Sequence, residues 1–140
     1  MMKVFYNKNF PCEGYIFNLF GVLFARKGAV VTEKTENHEM IHCYQMVEVG
    51  LLAGGLLAVL IPLCGWSWWW MATAIPAFYI WYGVEWFYQW VWSWFNGTID
   101  AYKMVTFEQE AYANDQDLSY RSGRKWFAWV GYMFSRVIYS

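Results

Sequence analysis

The sequence predicts a mainly α-helical integral membrane protein whose core is a transmembrane hairpin of two spans. Hydrophobic residues make up 59% of the 140 residues and aromatic residues 24%, but charged residues only 15%, against about 25% in soluble domains. Two long segments, residues 40–63 and 68–94, are apolar enough to be candidate spans. No lysine or arginine occurs between Lys34 and Lys103. A chain of this length is expected to form a single domain.

The first segment, residues 1–34, is predicted to contain a short β-hairpin. Residues 14–25 are rich in aromatic and β-prone side chains, and a second short run covers residues 29–32. Between them lies the basic, glycine-containing stretch 26–28. Two such runs on either side of a turn favour a hairpin, and a surface loop with some strand is the alternative interpretation.

A long helix is predicted over residues 35–63. Thr35 offers a capping hydroxyl and Glu36 an acid for the first turn, and no strong helix breaker precedes Pro62. The first two turns are polar, whereas residues 49–63 are apolar. The helix is therefore expected to run directly into the membrane as the first span.

The start of this helix carries the sequence H-E-x-x-H, formed by His38, Glu39 and His42, which include both histidines of the protein. Residues four apart project from one face of a helix, so the two imidazoles can bind one metal ion. Glu39 lies on the flank of that face, where it can accept a proton from a water molecule. Two nitrogen ligands leave the metal under-coordinated, so a third ligand is expected from elsewhere.

The second predicted span, residues 68–94, follows a turn at 64–67 and contains clustered tryptophans of the kind found at membrane interfaces. Glu85 is its one ionisable residue. In a hairpin it lies at a depth similar to that of Glu48, so the two carboxyl groups either form an intramembrane polar pair or sit separately near lipid headgroups. The positive-inside rule places both termini and the H-E-x-x-H on the cytoplasmic side.

Two further helices are predicted after the spans: residues 99–113, and an interfacial helix over residues 126–138. The first of them is the expected source of the third ligand. The candidate carboxylates and thiol are Glu108, Glu110, Glu85, Asp100 and Cys43. Cys43 points about 100° away from the histidine face, Asp100 lies at a predicted turn, and Glu85 lies deep in a span. Glu108 and Glu110 remain as alternatives.

The sequence His38-Glu-Met-Ile-His42, followed on a later helix by Glu108-Gln-Glu-Ala111, resembles the glutamate-type zincins. With membrane spans between the two motifs, the chain is most similar to HtpX-type and CAAX-prenyl-type membrane metalloproteases. It also resembles small bacterial membrane proteins with N-H-E-x-I-H and F-E-x-E-A-Y motifs. The resemblance implies that Glu108 is the metal ligand and that residues 15–32 supply a substrate-binding edge strand. Tyr112 departs from the pattern, because an aspartate is usual there.

The expected function is that of a zinc-dependent membrane metallopeptidase, which hydrolyses peptide bonds with a zinc-activated water and Glu39 as general base. Nitrogen and oxygen ligands favour zinc. Candidate donors to the oxyanion are Tyr112, Tyr102 and Tyr44. The alternative function is a non-proteolytic, metal-binding membrane scaffold or sensor.

Expected partners are a peptide or membrane-protein substrate and the lipid bilayer of a bacterial inner membrane. A net charge of −1 gives no electrostatic attraction to nucleic acid. Gly50 and Gly54 have the spacing of small residues at close helix contacts. This pair is expected to pack either the hairpin itself or two copies of the chain.

Overall fold

The computed structural model describes residues 2–97 and 100–133 and has a mixed α/β fold. Three strands come first: β1 (Lys3–Asn7), β2 (Ile16–Leu19) and β3 (Val22–Arg26). Four α-helices follow: α1 (Glu33–Cys64), α2 (Ala77–Asn96), α3 (Thr106–Asn114) and the short α4 (Tyr120–Gly123). Two 3₁₀ helices, Trp68–Ala74 and Ala128–Tyr132, complete the described elements.

The three strands form one sheet in the order β1-β3-β2, with β1 parallel and β2 antiparallel to β3. The predicted hairpin therefore exists, but its turn was placed wrongly. The chain reverses at Phe20 and Gly21, where φ is 48° and 84°, and the Asn18 side chain accepts a hydrogen bond from the Gly21 amide at 2.9 Å. Residues 29–32 form no strand and lead into α1. The sequence did not predict β1.

Helix α1 extends over 32 residues and begins two residues earlier than predicted. Thr32 caps it by accepting a hydrogen bond from the Thr35 amide at 3.1 Å, and Gly65, with φ of 66°, ends it. Its first half is largely buried in the protein. Its second half exposes a set of apolar side chains that are 48–76% accessible: Leu51, Leu52, Leu56, Val59 and Leu63.

The predicted two-span hairpin is wrong. Residues 68–94 break at Pro76 into a 3₁₀ helix and α2, and the 3₁₀ helix folds back onto α1. A Cβ atom at Gly50 would lie 3.6 Å from the carbonyl oxygen of Ala74, so this small-residue pair packs within the chain. Among the described residues, α1 alone is long and apolar enough to cross a membrane, by length and composition. The many tryptophans and tyrosines of α2 carry polar N–H and O–H groups, which lower its hydropathy.

The third-ligand helix is shorter than the predicted 99–113: α3 begins at Thr106, after a turn. Of the predicted interfacial helix 126–138, the described part contains the 3₁₀ helix 128–132, and residues 134–138 lie outside the described residues. Trp129 is buried, with its ring centroid 5.2 Å from that of Phe107. It belongs to a hydrophobic core formed by Met46, Val49, Phe78, Val105, Phe107 and Trp129. This segment therefore packs into the core.

Candidate metal centre

His38 and His42 from α1 meet Glu108 from α3 in a buried group. Nε2 of His38 lies 3.1 Å from Nε2 of His42 and 3.1 Å from Oε2 of Glu108. Nε2 of His42 lies 3.2 Å from Oε1 of Glu108. The side chains needed for three-fold coordination thus come from sequence positions about 70 residues apart and converge on one point. This group can hold a metal ion.

The position of α3 that brings Glu108 to the histidines is fixed at the first residues of that helix. The Thr106 amide donates a hydrogen bond to Oε1 of Glu85 at 2.8 Å, and the Thr106 hydroxyl donates to the same oxygen. Glu85 thereby satisfies an amide that α3 itself cannot pair. The carbonyl of Phe107 accepts from Nε2 of Gln45 on α1 at 3.1 Å.

Gln45 also fixes which nitrogen of His42 faces the centre. Its Nε2 donates to two groups that only accept, the Phe107 carbonyl and, at 2.9 Å, Oε2 of Glu110. Its Oε1 must therefore face His42 Nδ1, which lies 2.7 Å away and has to donate. In the neutral ring this leaves a lone pair on Nε2 of His42. A lone pair, a second imidazole and a carboxylate oxygen at contact distance are ligands that one metal ion can share.

The two imidazole nitrogens lie 3.1 Å apart, and they contact different oxygens of Glu108: Oε2 lies 3.1 Å from His38, and Oε1 lies 3.2 Å from His42. Two imidazole nitrogens and a carboxylate are donor types that zinc binds. Cobalt, manganese and iron take the same donor types, so this geometry does not select one metal.

Glu108 is held as a carboxylate. Its burial would by itself raise the pKa, but the neighbouring His42 and His38 outweigh this effect and lower the pKa of Glu108 far below its usual range. The hydroxyl of Tyr82 donates a further hydrogen bond to Oε1 at 2.9 Å. Sequence reasoning missed Tyr82, because nothing in the sequence distinguishes it from the other aromatic residues of the predicted span 68–94.

Glu39 lies beside the ligand group and outside it. Its backbone carbonyl accepts a hydrogen bond from Nδ2 of Asn18 on β2 at 2.9 Å, which ties the sheet to the motif helix. Its side chain lines two cavities, both of which Tyr102 also lines. The carboxylate is thus adjacent to the centre and open to a molecule bound there.

The three tyrosines predicted as oxyanion donors fall in different places. The ring of Tyr112 lies edge-on to His38, with centroids 4.8 Å apart, and burial together with the negative charge of Glu108 raises the pKa of Tyr112 to about 12. Tyr102 lines the same cavities as Glu39. Tyr44 lies elsewhere, under the guanidinium of Arg124 at 5.7 Å from the ring centroid.

Glu110, the alternative third ligand, is engaged in a different contact. Nε of Arg124 lies 2.6 Å from its Oε1, and the same guanidinium donates to both oxygens of Glu48 at 2.5 and 3.0 Å. The predicted polar pair of Glu48 and Glu85 is not what the structure shows, because Glu48 is bound to Arg124 and Glu85 to Thr106. Sequence reasoning missed Arg124, because in the sequence it is only one of three basic residues in the stretch 121–125.

The two remaining ligand candidates also lie outside the group. Oδ1 of Asp100 accepts from the Tyr102 amide at 3.1 Å, and Sγ of Cys43 lies 3.6 Å from Nδ2 of Asn18. A carboxylate that sequence reasoning missed lies near one of the histidines: Oδ2 of buried Asp115 is 3.9 Å from Nδ1 of His38. Asp115 belongs to the polar stretch at the end of α3. It lies three residues after Tyr112, the residue that stands where the zincin pattern usually has an aspartate.

No family model, curated protein or solved structure matches this chain. The resemblance to glutamate-type zincins therefore stays a prediction that rests on two short motifs. What can be said of the centre comes from its own distances, burial and hydrogen bonds.

Proposed function

We propose that this protein is a zinc-dependent metallopeptidase attached to a membrane. One observation carries the proposal: three buried ligand atoms from His38, His42 and Glu108 converge, while Glu39 stands beside them and outside the ligand set. Structural zinc sites use four protein ligands, whereas catalytic sites use three and keep one position open. A neighbouring free carboxylate is what a hydrolytic site needs.

In the proposed reaction, bound zinc supplies Lewis-acid polarisation and lowers the pKa of water. Glu39 accepts the proton of the attacking water and passes it to the leaving amine. Tyr102 or Tyr112 donates a hydrogen bond to the oxygen of the scissile carbonyl, on which negative charge develops. Gln45 holds the His42 ring in its orientation throughout.

The sheet offers a place for the peptide backbone. Among the described strands, β2 pairs with β3 alone and so lies at an edge of the sheet, and an extended peptide can add to such an edge through main-chain hydrogen bonds. The hydrogen bond from Asn18 to the Glu39 carbonyl keeps this strand beside the motif helix. The position of β2 thus supports the expectation of an edge strand within residues 15–32.

The second half of α1 supports attachment to a lipid bilayer. Its exposed leucines and valine would face water in a free protein, whereas a bilayer covers them. All basic residues of the chain lie outside positions 35–102, which favours the cytoplasmic side of a bacterial inner membrane for the metal centre. The proposed substrates are peptides or membrane proteins at that surface.

The test is the metal content of detergent-purified protein. Wild type is expected to retain one zinc per chain, and the metal should be lost in His42→Ala and Glu108→Gln. Glu39→Gln should keep the metal but hydrolyse casein at least about 100-fold more slowly, because it lacks the general base. Glu110→Gln, two residues further along the same helix, is the matched control and should keep the metal.

Two outcomes decide against the proposal. Wild-type protein that takes up no metal even after zinc is added back would reject a metal centre. Stoichiometric zinc without hydrolysis of casein or of membrane-bound peptides would favour the alternative of a non-proteolytic, metal-binding scaffold or sensor.

A further inference from the structure

A cavity of about 440 Å³, here called the apolar cavity, opens next to the candidate metal centre. Its inner end is formed by His42, Glu39 and Glu108. Its walls are mainly aromatic and aliphatic: Phe10, Pro11, Phe17, Met46, Phe78 and Tyr79. Phe17 lies 5.5 Å from Phe10 and 6.4 Å from Tyr79, between ring centroids. The volume is within the range of about 300–1,000 Å³ that is usual for ligand sites.

A second cavity of about 870 Å³, the polar cavity, is also lined by Glu39. Its lining includes several charged side chains: Arg26, Lys34, His38, Asp100, Lys103 and Asp115. Four residues line both cavities: Tyr15, Ile16, Glu39 and Tyr102. A molecule held at the metal centre therefore borders two different spaces, the apolar cavity at His42 and Glu108 and the polar, charged cavity at His38.

We propose that the substrate is a peptide segment with a bulky apolar side chain on one side of the scissile bond and a polar residue on the other. This inference rests on the proposed function. A negatively charged side chain in the apolar cavity would lose its water and would meet two carboxylates there, those of Glu39 and Glu108. An aromatic or leucine side chain loses only unfavourable contact with water there.

The aromatic walls of the apolar cavity favour an aromatic side chain in the substrate in particular. Phe78 and Tyr79 meet edge to face, with centroids 5.4 Å apart, and the Tyr79 hydroxyl is already used by the Asn18 carbonyl at 3.0 Å. The walls thus present ring faces and edges to a bound group, and an aromatic side chain gains favourable ring contacts with them.

Two probes test the inference by binding: a phenylalanine-derived and an aspartate-derived hydroxamate, each able to ligate zinc. Zinc-loaded, full-length protein in detergent should bind the phenylalanine probe at least about tenfold more tightly. Phe17→Glu should remove that preference. Leu19→Glu is the matched control, because Leu19 is two residues along the same strand and equally exposed, 39% against 38%, but is not among the residues lining either cavity. It should leave both affinities within about twofold.

The metal content of the same samples separates the possible failures. If zinc is retained but wild type binds the two hydroxamates equally, the inference is overturned and the proposed function stands. The same holds if Phe17→Glu and Leu19→Glu change binding alike. If wild type retains no zinc and binds neither probe, the proposed function fails, and the inference fails with it.

Discussion

Oε1 of Gln45 lies 2.7 Å from Nδ1 of His42, and Nε2 of the same amide reaches Glu110 and the Phe107 carbonyl on α3. One fully buried side chain thus connects a candidate ligand on α1 to the helix that supplies Glu108. Such contacts behind a metal-binding histidine set its ring orientation and tautomer. Gln45 is therefore a positioning residue for the proposed zinc.

Gln45→Leu is expected to weaken zinc binding about 10–100-fold, because His42 loses the acceptor that orients its ring. Competition with a chromophoric chelator measures the affinity. Gln45→Glu keeps an acceptor for His42 but loses the donor to Phe107 and Glu110, so its zinc affinity should lie between those of wild type and Gln45→Leu. Equal affinity in wild type and Gln45→Leu would show that the contact has no role in positioning.

Arg124→Met is expected to lower the free energy of unfolding by about 3–5 kcal/mol, since it leaves two buried carboxylates without their partner. The side chains of Arg124, Glu48 and Glu110 are all at most 3% exposed. Lys125→Met removes the same charge from an exposed neighbour and serves as the control. Denaturant titration of both variants should separate them clearly, and coincident curves would contradict a structural role for this ion pair.

Gly50→Leu should destabilise the protein by about 1–3 kcal/mol, because the side chain would enter the contact between α1 and the 3₁₀ helix. A Cβ atom added at Gly50 would lie 3.6 Å from the Ala74 carbonyl oxygen, whereas a Cβ atom added at Gly55 would have nothing within 4 Å. Gly55→Leu should be neutral or should stabilise by up to about 1 kcal/mol through helix propensity. Thermal unfolding of the pair checks this, and equal effects would place the contact elsewhere.

Attachment to the membrane through α1 predicts that wild-type protein stays with the membrane fraction after alkaline carbonate extraction. The double variant Leu52→Lys/Leu56→Lys should be released or fail to insert, because each lysine near the middle of a span costs about 2.5–3.5 kcal/mol. Val30→Lys changes an even more exposed apolar residue outside the helix and should behave as wild type. Release of the wild-type protein by carbonate would refute the membrane attachment.

The spacing of His38 and His42 was readable from the sequence, because helical periodicity alone places both on one face. The sequence could not decide whether Glu108 or Glu110 is the third ligand. Residues two apart on a helix point in widely different directions, and the rotation of α3 decides which of them meets the histidines. In the structure Glu110 instead binds Arg124, which lies 14 residues further along the chain.

The errors in the predicted fold have similarly long-range causes. β1 pairs in parallel with β3, Lys3 opposite Val22, and local alternation carries no signal of such a pairing. The tryptophan-rich segment was read as one continuous span, but its first part instead packs against the small residues of α1. Hydrophobic composition identifies surfaces to be covered, and does not say whether protein or lipid covers them.

The histidines and the apolar surface of α1 belong to one unbroken helix. Leu51, where the exposed leucines begin, follows His42 by nine residues, which is about 14 Å along the axis. If the apolar half is embedded in lipid, as proposed, the candidate metal centre would have a set height above the bilayer surface. Its reach would then be limited to the juxtamembrane stretch of a neighbouring protein, so distance from the bilayer would select the cleavage point as much as side-chain chemistry does.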